Sequence, residues 1–377
     1  MLLADLPTPQ VLIDRRRLIA NIDRAQQLAT SAGVALRPHA KTHKSPVVAK
    51  WQIEKGAVGI CCAKIGEAEV FVEAGIDNIR LPYPVNPFNA ARLIALMDRA
   101  TLSIIVDHLD VARGWSDAML RAGRALDVLV KVDVGFHRCG IDPAGDALGF
   151  LQAIAAMPGL RLRGLLSHAG HAYHAASEDE LRSMAAREAE TLTALRDGAT
   201  KAGIADIAMC EVSVGATPTL RFSAGLPGIT ELRPGNYVYF DRTQVALGAA
   251  TLDDCALTVL ATVVSKPAAD RIILDCGSKT LTNDQARGIA KATGYGAVLA
   301  GDGASPRRVD ETLTIERLSE EHATVRVTGG TPLQPGDRVR VLPNHSCVVS
   351  NMVDVVRLVE GDKVIDALAV TARGRIQ

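Results

Sequence analysis

Two textures divide the chain. Up to residue 244, short aliphatic runs bounded by turn residues alternate with longer stretches whose apolar positions recur every three to four residues. The first texture is that of strands buried on both faces, the second that of helices laid over them. The runs Val34–Pro38, Val58–Cys62, Ile79–Leu81, Leu102–Val106, Leu126–Val132, Leu162–Leu166, Met209–Val214 and Thr230–Leu232 predict strands. Between them, Pro46–Lys55, Ile65–Ala74, Asn89–Ala100, Leu109–Ala122, Ala144–Met157 and Glu178–Ala202 predict helices, and the interval after Val214 lacks a clear long one. Eight strands at intervals of roughly 25 residues, most followed by a helix, make an α/β fold of the (β/α)8 barrel type. A doubly wound open sheet is the alternative, but no G-x-G-x-x-G follows an early strand.

From residue 245 the helical periodicity stops. Leu257–Val264, Ile272–Leu274, Leu313–Ile315, Thr324–Val327, Val339–Leu342, Val355–Leu358, Val364–Ile365 and Ala367–Val370 are β-type runs, some separated by turn pairs such as Gly361-Asp362. They predict a second, mostly antiparallel β domain. After a short entry segment, Val11–Ile13, the expected domains are therefore 1–244 and 245–377, and the first few residues are candidates to pair with the second.

Composition narrows the function. Forty-two Lys and Arg balance forty-two Asp and Glu, so the chain lacks the overall basic excess of a nucleic-acid binder. No run of 18 apolar residues predicts a membrane span, and the start MLLADLPTPQ does not read as a secretory signal. Seven cysteines with no C-x-x-C spacing suit reduced thiols in the cytoplasm. Aromatic residues make up only 3%, which leaves the core to aliphatic side chains.

The polar residues of interest follow predicted barrel strands, where barrels of this type place their chemistry. After the first comes Arg37-Pro-His-Ala-Lys41-Thr-His43-Lys44, either a solvated basic loop or the seat of a desolvated, Schiff-base-forming lysine. After the fifth comes Asp133-Val-Gly135-Phe-His137-Arg138-Cys-Gly140, whose arginine suits an oxyanion unless the segment is only a capping turn. After the sixth, Ser167-His168-Ala-Gly-His171-Ala-Tyr173-His174 gathers three of the nine histidines. After the seventh and eighth, Ser213-Val-Gly215-Ala216-Thr217-Pro218 and Glu231-Leu-Arg233-Pro-Gly235-Asn236-Tyr237 offer backbone N–H groups to a phosphate. In the β domain, Pro343-Asn-His345-Ser-Cys347, read as a strand, puts His345 and Cys347 on one face. That pair is either a buried cysteine beside a satisfied histidine or two ligands of an open Zn²⁺ site.

With these motifs, the sequence resembles the fold-type III pyridoxal phosphate enzymes, in the branch of metal-activated D-threonine aldolases, D-serine dehydratases and D-3-hydroxyaspartate lyases. The resemblance runs from Leu6-Pro-Thr-Pro to Ala372-Arg-Gly-Arg375 and implies an alanine racemase-like architecture. It implies Lys41 as the Schiff-base lysine, Arg138 at the cofactor's phenolic oxygen, and His168 and Tyr173 beside the pyridine ring. Ser213, Gly215, Ala216, Thr217, Gly235, Asn236 and Tyr237 would surround the phosphate, with Arg233 where alanine racemases place an arginine at the ring nitrogen. His345 and Cys347 would hold a divalent metal, Zn²⁺ in preference to Mn²⁺. His171, His174 or a metal-bound water would be the base. The implied partners are a small D-3-hydroxy amino acid and a second copy of the chain in a homodimer, without nucleic acid or membrane.

Within the branch the motifs divide. His345-x-Cys347, His168-Ala-Gly-His-Ala-Tyr173 and Ser213-Val-Gly-Ala-Thr-Pro look like the dehydratases; Asp275-Cys-Gly-Ser-Lys279 and Ala369-Val-Thr-Ala-Arg-Gly-Arg375 look like the aldolases. The reading taken is retro-aldol cleavage to glycine and an aldehyde. Dehydration to a 2-oxo acid and ammonia is the alternative, ahead of an amino-acid racemase or a non-catalytic cofactor carrier.

Overall fold

The structure is a computed structural model that describes residues 1–204, 210–285, 287–290, 292–301 and 305–377. Eight strands form one parallel sheet: β2 (Ala35–Leu36), β3 (Ile60–Cys61), β4 (Asn78–Pro84), β5 (Thr101–Val106), β6 (Leu126–Lys131), β7 (Leu160–Leu166), β8 (Glu211–Val214) and β9 (Glu231–Leu232). Their order is β2-β9-β8-β7-β6-β5-β4-β3. The seam between β2 and β3 is closed by Val58 N–H to Leu36 O at 2.9 Å and Cys61 N–H to Pro38 O at 2.8 Å. All eight coincide with aliphatic runs read from the sequence; Met209, the first residue of the seventh run, lies outside the described residues.

Helices α2 (Pro46–Glu54), α3 (Ile65–Glu73), α4 (Ala90–Met97), α5 (Leu109–Arg121), α6 (Ala147–Ala155) and α7 (Glu178–Lys201) pack around the barrel, and only the short α8 (Leu220–Ser223) follows β8. Helix α1 (Arg15–Ser31), which precedes β2, was not read from the sequence. Its buried stripe is Leu18, Asn21, Ile22, Ala25 and Ala29, so small and polar residues occupy positions normally marked by large apolar ones. Asp14 starts it by accepting the Arg17 N–H at 3.1 Å.

The second sheet runs β13 (Leu313–Leu318), β14 (Ala323–Val327), β11 (Arg271–Leu274), β10 (Leu257–Ala268), β1 (Gln10–Asp14), β16 (Val355–Glu360), β17 (Lys363–Ala369). Strand β15 (Arg338–Leu342) pairs with β10 and with β12 (Ala297–Val298). All of its pairings are antiparallel except β1 with β16. The N-terminal strand thus sits in the middle of the sheet built by the C-terminal part, with Leu12 and Ile13 fully buried.

The barrel interior holds a small apolar layer of Ile105, Leu129 and Leu166 and a buried polar lattice. Glu231 pairs with Arg37 at 2.7 Å and with Arg80, which also reaches Glu211 at 2.7 Å and Ser103 at 2.9 Å. Burial alone would raise the Glu231 pKa; the charges of Arg80 and Arg37 outweigh it and hold the carboxyl below its usual value.

Candidate active site

Above this lattice, at the C-terminal ends of the strands, lies a cavity of about 230 Å³. Its wall includes Lys41, Lys131, Arg138, Arg233 and Arg287 and, among the described residues, no Asp or Glu. Such a wall suits a polyanion.

The loop after β2 turns through Ala40–Thr42, with the Lys41 N–H donating to His39 Nδ1 at 3.3 Å. Lys41 lines the cavity. Lys44, three residues on, is buried and paired with Glu67 at 3.0 Å. The two lysines of the motif are thereby separated: one is open to a ligand and the other is engaged in the protein.

After β6, Asp133 Oδ1 accepts the N–H groups of Gly135, Phe136 and His137 at 3.0, 3.0 and 3.1 Å. The turn places the Arg138 guanidinium 4.9 Å from the Phe136 ring centre, and the ring meets His168 edge-on at 5.7 Å. His168 Nδ1 lies 2.7 Å from Gly215 O. Only a protonated nitrogen can donate there, so Nε2 is the free face of a ring that burial, then Lys41 and Lys131, keep neutral.

Of the residues assigned to the phosphate, Ala216, Thr217, Gly235 and Asn236 reach the cavity wall. Ser213, Gly215 and Tyr237 stand behind it. Ser213 bonds Glu231 and Arg233, and Tyr237 OH accepts from Gln52 Nε2 at 2.9 Å. Gly215 passes so close to the next strand that a Cβ would lie 2.9 Å from Arg233 O. Tyr173 and His174 line the cavity, whereas His171 is not on the wall and lies against Gly135.

His345 and Cys347 do not lie in a strand. Strand β15 ends at Leu342; His345 is extended and Cys347 sits in the first turn of a short helix, Ser346–Asn351. The cause is long-range: Asp241 Oδ2, buried in the barrel's last loop, accepts the Ser346 N–H at 2.9 Å and starts the turn. The segment is strapped to the barrel by Asn236 Nδ2 on Ser346 Oγ at 3.1 Å and by Ser350 Oγ on Thr42 O. The two side chains still converge on the cavity wall. Burial pushes the Cys347 thiol up, but its hydrogen bond to His345 and that ring's charge bring it below the usual value. Burial lowers His345, and bonds to Asp284 and Cys347 reverse this and push it up to about 11. A thiolate beside an imidazole is a donor set for a Zn²⁺-like cation.

Lys131, Arg287 and Asp284 are among the residues on or beside the wall that were not singled out from the sequence. Lys131 is 3% exposed, lines the cavity, and has no carboxylate within ion-pair distance among the described residues. It is a lysine on the Leu129 face of an aliphatic strand, which was its available signal. Arg287 and Asp284 come from a segment without strand or helix pattern.

The chain matches the alanine racemase N-terminal domain over residues 13–243 and a putative serine dehydratase domain over residues 256–359. It is 34% identical to a D-threonine aldolase from Arthrobacter sp., over 99% of this chain and 94% of that one. It is also 34% identical to a D-threo-3-hydroxyaspartate dehydratase from Delftia sp. (strain HT23), over 92% of each. A solved structure of a Cys-to-Ala mutant of such a dehydratase, in the metal-free form, superposes with a TM-score of 0.89 at 32% identity over 98% of each chain. Fold, cavity and matches define a fold-type III pyridoxal phosphate enzyme. The chain belongs to the branch of that family in which a serine dehydratase domain follows the alanine racemase barrel, the branch of the D-3-hydroxy amino acid lyases.

Proposed function

We propose that the protein cleaves D-3-hydroxy amino acids to glycine and an aldehyde, using pyridoxal phosphate and a divalent metal, Zn²⁺ in preference to Mn²⁺. One observation carries the reading. A cavity walled by basic side chains brings together Lys41, contributed by the loop after β2, and the His345–Cys347 pair, contributed by the segment after β15. Lys41 is assigned to hold the cofactor, Arg138 its phenolic oxygen, and Ala216, Thr217, Gly235 and Asn236 its phosphate. The cofactor supplies the electron sink for the charge released at Cα. The metal supplies Lewis acidity toward the substrate's β-hydroxyl.

The chain's own residues do the rest. His174, on the wall, takes the hydroxyl proton while the Cα–Cβ bond breaks and the aldehyde leaves; His171, off the wall, is the weaker candidate. Among the described residues no Asp or Glu lines the wall to repel the substrate carboxylate. The second reading is dehydration, favoured by cysteine rather than aspartate at the metal pair. Lys41 would then remove the Cα proton, the β-hydroxyl would leave as water, and hydrolysis would give ammonia and a 2-oxo acid. A product assay on D-threonine, D-serine and the D-3-hydroxyaspartates decides. Aldehyde with glycine supports the first reading, ammonia with a 2-oxo acid replaces it with the second, and neither product from any of these substrates sinks both.

We further infer a cytoplasmic homodimer. Cys61, Cys62, Cys139, Cys255, Cys276 and Cys347 form no disulfide among the described residues, and no helix among those residues is long and apolar enough to cross a membrane. The dimer rests on the family resemblance, and light scattering tests it.

A further inference from the structure

A carboxylate stands behind the histidine of the metal pair. His345 Nδ1 lies 2.6 Å from Asp284 Oδ2, a residue sixty-one positions away. Asp284 follows the short helix Ser278–Leu281 and a turn at Thr282, whose φ is 66°. The Asp284 N–H donates to Thr282 Oγ1 at 3.2 Å. Asn344 Nδ2 donates to Asp284 O and to Gly294 O, both at 2.9 Å. Asn344 is the chain neighbour of His345. The carboxylate and the ring it meets are therefore fastened together twice, once through side chains and once through backbone.

We propose that Asp284 is a positioning residue of the metal site, fixing the His345 ring so that Nε2 faces a divalent cation shared with Cys347. The inference rests on the metal reading given above. A carboxylate accepts only from a protonated ring nitrogen, so Nδ1 keeps its proton and Nε2 is the nitrogen left for a cation, which would take the place of the proton there. A carboxylate behind a ligating imidazole also stops it rotating and raises its basicity. Asp284 acts from behind the ring and is not itself a ligand. Among the described residues, no three His, Cys, Asp or Glu side chains are gathered to hold one ion.

The test is Zn²⁺ affinity of the cofactor-loaded protein, measured by competition with a chelating dye, in wild type, Asp284→Ala, Asp284→Asn and Cys347→Ala. Asp284→Ala should bind Zn²⁺ roughly 10–100-fold more weakly, the loss typical of removing such a partner. Asp284→Asn keeps an acceptor at Nδ1 and should recover most of that loss. With Co²⁺ in place of Zn²⁺, the thiolate-to-metal absorption should persist in both Asp284 variants and vanish in Cys347→Ala. Wild-type affinity in Asp284→Ala overturns the inference and leaves the metal reading standing. An equal loss in Asn and Ala with an altered Co²⁺ spectrum also overturns it, because Asp284 would then be a ligand. No Zn²⁺ binding by wild type removes the metal reading and this inference with it. Should Asp284→Ala fail to fold, the Asn variant and its Co²⁺ spectrum still decide.

Discussion

Arg233 Nε donates to Ser213 Oγ across 2.6 Å, and Ser213 in turn donates to Glu231 at 2.6 Å. A cavity-wall arginine is thereby tied to the ionic lattice inside the barrel. Its Nη2 is spent on Ser167 O and, at 3.2 Å, on Ser213 O, while burial lowers its pKa. The lattice sets the height and angle of the guanidinium before any ligand arrives, which is preorganisation of the kind a charged site needs.

Glu231 is the hub, so its loss should be costly. Glu231→Gln leaves the buried Arg37 and Arg80 without their shared countercharge. It should destabilise the protein by about 3–5 kcal/mol in urea denaturation. The pH dependence follows from the lowered pKa. A depressed carboxylate contributes stability that is full above its unfolded value, roughly 4.3, and lost as pH falls through the lower folded value. Wild type should therefore lose stability more steeply than the variant on acidification below that point. Parallel curves would remove Glu231 from this role.

Lys41 and Lys44 are three residues apart and chemically alike, but the structure treats them differently. Borohydride reduction of the cofactor-loaded protein, followed by peptide mapping, should place the label on Lys41. Lys44→Met should weaken the fold by leaving Glu67 buried and unpaired, at a cost of about 3–5 kcal/mol. Label on Lys44 would contradict both expectations.

Lys131 is charged at a price: burial first, then Arg233, pull its pKa down to about 7. Between that value and the ordinary lysine value of roughly 10.4 the unfolded chain binds the extra proton, so stability of the cofactor-free protein rises with pH. Lys131→Met should abolish that rise and raise the unfolding midpoint at neutral pH. The same change should weaken binding of the anionic cofactor by about 10–100-fold, the equivalent of one charge-assisted hydrogen bond. Unchanged affinity would mean that Lys131 does not face the cofactor.

The barrel was legible because its information is local. Runs such as Leu126–Val132 declare a buried strand from their own composition, and the position of Arg138 or His168 just after a run declares the barrel mouth. Three features were not legible, each because a distant residue decides. Helix α1 buries Asn21, whose amide reaches Asp254 O at 2.8 Å, so a polar residue holds a core position. The turn at Ser346 is started by Asp241, 105 residues away, which overrides the β-type sequence around it. Asp284 meets His345 only through the fold of the second sheet and carries no motif of its own. Lys131 is different: its period-two relation to Leu129 was visible, and a buried strand lysine is unusual enough to have been singled out.

The metal pair offers the sharpest separation of binding from chemistry. Cys347 Sγ lies 3.1 Å from Thr42 Oγ1 and 3.5 Å from Asn236 Nδ2, close to the loops assigned to the cofactor but without a covalent role in them. Cys347→Ala should keep the absorption of the lysine-bound cofactor while losing metal affinity and most turnover. Cys347→Asp restores a two-ligand site with an oxygen donor, as the resemblance assigns to the aldolases. A carboxylate donates less charge to the ion than a thiolate, so the metal is left the stronger Lewis acid and the β-hydroxyl the more acidic. Retro-aldol cleavage begins with loss of that proton, whereas dehydration needs the hydroxyl to leave with it. The aldehyde-to-ammonia ratio should therefore rise in Cys347→Asp, measured on one substrate at equal metal occupancy. An active Asp variant with an unchanged ratio would show that the pair does not choose the reaction. The choice would then pass to His168, Tyr173 and His174, which line the same cavity.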